Sequence, residues 1–212
     1  MKTLVFSLVG ARADPYSAAP NLLLRLRIDN PGGDEIQAIA LRVQIQIEPR
    51  RRHYSSQEES SLGELFGTPE RWGETLKTLH WTHASIMVTA FTEATEIDVP
   101  VPCTYDFDVV ASKYLNAIGD GDIPILALFS GTVFRHGDAG FEVAQVPWEC
   151  ESRYMLPASV WRDVMNAHFP NSAWIRIRKD LFDELYAYKA ARALHTWDDA
   201  LLALIDNAKE RS

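Results

Sequence analysis

Between residues 39 and 48 the chain alternates, with Ile39, Leu41, Val43, Ile45 and Ile47 on one side and Ala40, Arg42, Gln44, Gln46 and Glu48 on the other. A period of two sustained this long, rich in β-branched side chains, cannot lay its apolar set along one side of a helix. The stretch is a strand with one dry face and one wet face, the pattern of an antiparallel sheet covered on one side. The rest of the chain must supply that cover.

Other stretches read as further strands. Leu4, Phe6 and Leu8 alternate with Val5, Ser7 and Val9, and only Lys2 precedes them, so the opening reads as a first strand rather than a secretory signal. In residues 22–28, Leu24, Leu26 and Ile28 oppose Arg25 and Arg27. The turn chemistry of residues 29–35 then predicts a hairpin with the strand at 39–48, placing Arg25 and Arg27 on the same wet face as Arg42 and Gln44. Residues 84–101 are strand-like, with Pro100 and Pro102 at an edge because neither donates a backbone hydrogen bond. Residues 105–118 fit a strand through Phe107, Val109 and Ala111 or a helix through Val110, Tyr114, Leu115 and Ile118, and the strand is preferred. Residues 123–134 are apolar on both faces, as in a central strand, and Gly131 marks a bulge or a close approach. A further strand is expected over 141–148.

Helical signals fall in the middle and at the end. Residues 60–79 read as two short helices, one through Leu62, Leu65 and Phe66, the other opened by Thr68-Pro69-Glu70 and carrying Trp72, Leu76 and Leu79. Pro157 opens a helix with Val160, Trp161, Val164, Met165 and His168 on one face, and Pro170 ends it. After a short strand at 172–178, Asp180 caps a helix whose inward set is Leu181, Leu185 and Tyr188. Thr196-Trp197-Asp198-Asp199 has the form of a capping box before a last helix over 197–209. The expectation is a single α+β domain over 1–212, β-rich in 1–155 with a helical insertion at 60–79 and mainly helical in 156–212, its antiparallel sheet either open or folded over as a sandwich.

Composition limits the partners. A net charge of -8 works against a polyanion, because nucleic-acid affinity rests on Lys and Arg neutralising phosphates. No apolar run approaches the roughly 20 residues that a membrane-spanning helix needs. Cys103 and Cys150 are far apart, which suits reduced thiols and a cytoplasmic protein.

Residues able to carry chemistry are scattered. His80 and His83 lie three apart and would chelate a metal from a helix, with His136, His168 and His195 joining only through the fold. Asp106 and Asp108 have the form of a cation or acid-base pair, near Asp98, Asp120 and Asp122, yet in a strand they simply share a wet face. Arg50, Arg51 and Arg52 suit an anion, although a charged connection explains them equally. Ser130 lacks the G-x-S-x-G elbow because Leu128 stands two residues before it, and Glu149 and Glu151 make Cys150 a poor nucleophile. No catalytic or cofactor-binding residue is assigned. Aromatic and arginine side chains dominate protein-binding hot spots. The candidate partner surface is therefore Arg25, Arg27, Arg42, Gln44 and Gln46 with Trp72 and Trp81, a platform that also suits a second copy of the chain.

The segments LRVQIQIEPRRRHYS, LFGTPERWGETL, PVPCTYDFDV, IPILALFSGTVF, QVPW and WRDVMNAHFPNSAW resemble an uncharacterised bacterial domain-of-unknown-function family over nearly the whole chain. Members are often encoded near uptake nickel-iron hydrogenase genes. The resemblance implies an accessory or assembly role, with a hydrogenase subunit or precursor as protein partner, and carries no catalytic residue. The order of strands, helix, Phe169-Pro170, short strand, Leu181-Phe182-Asp183 and final helices is similar in pattern to the secretion chaperone SecB. That pattern implies an apolar groove for unfolded or precursor polypeptide. The function expected is a non-catalytic, protein-binding or chaperone-like accessory factor. The alternative is a small-molecule or metal-binding protein, or an enzyme with dispersed site residues, using His80, His83, Asp106 and Asp108.

Overall fold

The computed structural model describes residues 3–103, 109–137, 140–170 and 177–210. They form two compact units, Met1–Asn171 and Ser172–Ser212. Together they are α+β, with antiparallel sheets.

The first unit holds β1 (Val5–Ala13), β2 (Asn21–Asp29), β3 (Ile36–Ile47), β4 (Leu79–Val88), β5 (Ala94–Pro102), β6 (Asp122–Gly137), β7 (Gly140–Gln145) and β8 (Glu151–Pro157). Its helices are α1 (Ser56–Phe66), α2 (Trp72–Thr75), α3 (Val109–Ala117) and α4 (Ala158–His168). One sheet has the order β1-β2-β5, the other β4-β3-β6-β7, with β8 also paired to β6.

The alternation of β3 sets its burial: Ile39, Val43, Ile45 and Ile47 are fully buried and Leu41 nearly so. In β2, Leu22, Leu24, Leu26 and Ile28 are fully buried as well. The dry faces of both sheets meet in one core, where Phe6 stacks on Phe129 with ring centroids 4.7 Å apart. Each such Leu or Ile contributes about 1.5–3 kcal/mol on leaving water, so these two strands alone anchor much of the unit.

The predicted hairpin between the second and third strands does not form. β2 pairs with β1 and β5, while β3 pairs with β4 and β6. The 30–35 link therefore carries the chain from one sheet to the other, and Arg25 and Arg27 lie on a different sheet from Arg42 and Gln44. Two apolar strands, each needing a cover, bury more surface facing each other than lying side by side.

β6 is the central strand expected, and Gly131 is where its backbone comes close to β3. A Cβ at Gly131, whose φ is +147°, would sit 2.1 Å from the Ala40 carbonyl oxygen. Pro100 and Pro102 lie in the edge strand β5, where their missing donors face away from the ladder. β7 stops at Gln145, a turn at 148–149 follows, and β8 then fills the remaining side of β6.

Two stretches change type. Residues 109–117 are helical, not extended, and Ala111, Tyr114, Leu115 and Ile118 are buried while Val110 is 43% exposed. The first helix of the insertion starts at Ser56 because Ser55 and Glu58 form a capping box, a signal concealed within the charged run. The second stops at Thr75, and Leu79 opens β4 instead of completing a helical stripe.

The second unit consists of α5 (Lys179–Ala191) and α6 (Trp197–Glu210). The strand expected at 172–178 lies mostly outside the described residues. Asp180 is in the first turn of α5, with Arg178 at the cap position. The capping box of α6 forms as expected: the Asp199 amide donates to Thr196 Oγ1 and the Thr196 amide to Asp199 Oδ2, each at 3.0 Å. Those bonds hold the Asp199 carboxyl below its usual range.

Candidate functional site

The site is built on the outer face of the five-stranded sheet, where β3 lies between β4 and β6. Arg42 stands across from Ser85 and Ser130, Gln44 from His83 and Leu128, and Gln46 from His80 and Leu126. Arg42 is exposed, and Gln44 and Gln46 are half-buried. A shallow depression of about 340 Å³ next to them is lined by Ala40, Leu41, Arg42, Ser85, Ile86 and Met87.

Residues three apart in a regular strand point to opposite faces, yet His80 and His83 share this one. The cause is a bulge. The register of β4 against β3 slips between Ile45 and Gln46, leaving Trp81 as the extra residue. Trp81 turns inward, is 6% exposed, and meets Trp161 edge-on at 6.3 Å between ring centroids. His80 is thereby returned to the outer face, where its Nε2 lies 3.1 Å from Nδ1 of His83. Partial desolvation, His80 and Arg42 all disfavour the imidazolium, so the His83 pKa falls below the usual histidine value.

The other candidates fare differently. Arg25 is ion-paired with Asp98 at 3.1 Å and Arg27 with Asp29 at 2.7 Å, so both are engaged within their own sheet. Trp72 and Trp81, expected at a partner surface, belong to the core; Trp72 is 7% exposed and donates from Nε1 to the Gly67 carbonyl at 3.0 Å. Asp106 and Asp108 lie outside the described residues. His168 lies against the carbonyls of Val164 and Ser17, each at 3.0 Å.

The arginine cluster is taken up internally. Arg52 forms a buried ion pair with Glu58 at 2.9 Å, and its Nη groups also donate to the Asp120 and Asp122 carbonyls. Glu58 in turn accepts from the backbone amides of Ser55 and Gly119. Arg50 donates to the Gly73 carbonyl and Arg51 pairs with Glu48 at 3.6 Å. Each of the three arginines is thus engaged by a carbonyl or carboxylate of this chain.

Neither thiol is poised for nucleophilic attack. Burial pushes the Cys103 pKa up to about 12. Burial and then Glu149 raise that of Cys150. Among the described residues no group of three or more His, Cys, Asp or Glu converges as a metal cluster, and no helix is long and apolar enough to cross a membrane.

Of the inward set expected on α5, Leu181 is exposed and Leu185 and Tyr188 are half-buried. Among the described residues of the second unit only Ala200 is buried, whereas Leu181, Tyr186, Leu202 and Ile205 are 42%, 60%, 57% and 50% exposed. Phe182 and Trp197 pack at 5.2 Å between centroids, and Lys189 lies over the Trp197 ring. The missed signal was in α6 itself, where Leu201, Leu202, Leu204 and Ile205 spread around more of the helix than one neighbouring helix can cover.

The chain shows distant likenesses to solved structures. A late embryogenesis abundant (LEA) protein, At2g46140.1, is 12% identical with a TM-score of 0.35, the match covering 73% of this chain and 71% of that one. A beta-glucosidase from Kluyveromyces marxianus is 9% identical with a TM-score of 0.28, over 73% of this chain and 15% of that one. Beta-glucosidase 3B from Thermotoga neapolitana is 13% identical with a TM-score of 0.27, over 72% and 17%. No curated protein matches. The model of the Family of unknown function (DUF6084), in contrast, matches residues 1–212, and the chain belongs to that family.

Proposed function

We propose that this chain is a non-catalytic, protein-binding accessory factor of the cytoplasm, chaperone-like in holding a partner, and that the partner is a nickel-iron hydrogenase subunit or its precursor. The observation that carries the protein-binding part is the α5–α6 unit. Two helices of 13 and 14 residues bury a single alanine and leave Leu181, Tyr186, Leu202 and Ile205 substantially in water. A helix pair with that much apolar surface is suited to laying one face into a groove or against an apolar segment of another polypeptide. Its acidic and basic side chains are interspersed, as in Lys179 with Asp183 and Lys209 with Asp206, which suits a protein surface better than an anionic lipid one. The hydrogenase part rests on the family resemblance alone.

The test is co-expression with each hydrogenase subunit precursor, followed by quantified affinity capture. The wild-type chain is expected to retain a precursor, and a Leu202→Ser/Ile205→Ser variant to retain about tenfold less, the loss that two apolar anchors imply. Equal retention by both chains would remove the helical surface from the reading, and retention of neither precursor would remove the hydrogenase.

A further inference from the structure

We propose that His80 and His83 form a two-histidine site for a divalent late transition-metal ion, of the zinc, nickel or copper class, on the open face of the five-stranded sheet. This site is independent of the helical surface above and stands or falls separately from it.

The geometry comes first. Two imidazole nitrogens bound to one such ion at about 2.0–2.1 Å stand about 2.9 Å apart at a right angle and about 3.4 Å apart at the tetrahedral angle. His80 Nε2 and His83 Nδ1 are 3.1 Å apart, inside that interval, and their rings are tilted by 39° with centroids 4.6 Å apart. An ion that replaces the proton between the rings needs only small ring rotations. The ring that donates the hydrogen bond moves its proton to its other nitrogen, so both facing nitrogens present lone pairs and no proton is lost from the pair.

The second argument is that the pair is held. A regular strand would separate these residues onto opposite faces, and only the bulge at Trp81 brings them together. Trp81 is locked in the core against Trp161, so the backbone that aims the two rings is anchored from beneath.

Chemistry also fixes the character of the site. Both rings are exposed, and no third His, Cys, Asp or Glu joins them among the described residues. Water completes the coordination, so the ion exchanges readily rather than supporting the fold. Imidazole selects zinc, nickel and copper over magnesium or calcium. Arg42, on the neighbouring strand, opposes a cation and keeps the affinity modest.

The experiment is a titration of the untagged chain with zinc chloride and, separately, nickel chloride, followed by calorimetry and by the ring-nitrogen NMR signals of the histidines. One equivalent is expected to bind, with the His80 and His83 signals moving together and those of His136 and His195 unmoved. His80→Ala and His83→Ala are each expected to weaken binding at least about tenfold, since each removes one of two protein ligands. Arg42→Gln is expected to tighten it. Magnesium chloride is expected to leave the signals in place. Binding of zinc and nickel that persists in both alanine variants, or ring signals that do not move with either ion, would overturn the site; the circular dichroism of each variant, matched to that of the parent, separates lost ligands from lost fold.

Discussion

On the outer face of the three-stranded sheet, Arg25 sits across from Asp98 and Arg27 across from Glu96, whereas on the five-stranded sheet Arg42 sits between Ser85 and Ser130. All three arginines occupy the same position in an alternating strand. Their fates differ because the neighbouring strands differ. Asp98 accepts a hydrogen bond from Arg12 at 2.8 Å while pairing with Arg25, so the smaller sheet satisfies its own charges. Arg42 has no ion pair with a carboxylate among the described residues, and its neighbours are a hydroxyl on either side and a pair of imidazoles one row along. A self-neutralised face spends its charges on folding; the other face leaves Arg42, His80 and His83 exposed beside two half-buried glutamines. The difference lies in strand order, not in the arginines.

The largest effect that bears on this comparison is expected at Gly131, beneath the open face. Gly131→Ala brings a Cβ against the Ala40 carbonyl and forces an unfavourable φ, and is expected to cost about 3 kcal/mol or more. Chemical denaturation measures it, and a near-neutral result would mean that β3 and β6 can separate at no cost. Next comes the satisfied face: Asp98→Ala strands Arg12 and Arg25 and is expected to cost about 1 kcal/mol, diminishing with salt. Arg42→Gln, the matching change on the open face, is expected to shift stability by no more than about 0.5 kcal/mol. If the two variants melt alike, the contrast between the faces fails.

The smallest effect is spectroscopic. Arg42→Gln removes a positive neighbour of His83, so the histidine pKa rises toward its ordinary value, as read by an NMR titration. The sign for folding follows: with the native pKa depressed, the unfolded chain takes up the proton first as pH falls through the usual histidine range. Stability declines there and levels off below the native pKa. Arg42→Gln is expected to narrow that decline.

How much of this was legible beforehand depended on whether the signal was local. The burial pattern of β3, the central role of β6, the close approach at Gly131 and the capping box at Thr196 each reside in a few adjacent residues, and each is present in the fold. The fold class followed from them. Strand pairing did not, because nothing in residues 29–35 distinguishes a turn within one sheet from a passage between two. Trp72 and Trp81 misled for a related reason: an aromatic side chain reads the same in a core and on a rim until its neighbours are known. His80 and His83 were named for helical spacing and converge through a strand bulge instead, a feature set by the misfit between β4 and β3. The insertion helix began earlier than expected because Arg52 and Glu58 looked like solvated charge.

That last pair has a consequence for motion. Arg52 and Glu58 together tie the backbone after β3, the first turn of α1 and the loop ahead of β6 to one another through four backbone groups. None of the three segments can swing out alone without abandoning a desolvated charge. They therefore open as one body, and the edge of the fold above α1 acts as a single latch rather than as three independent loops.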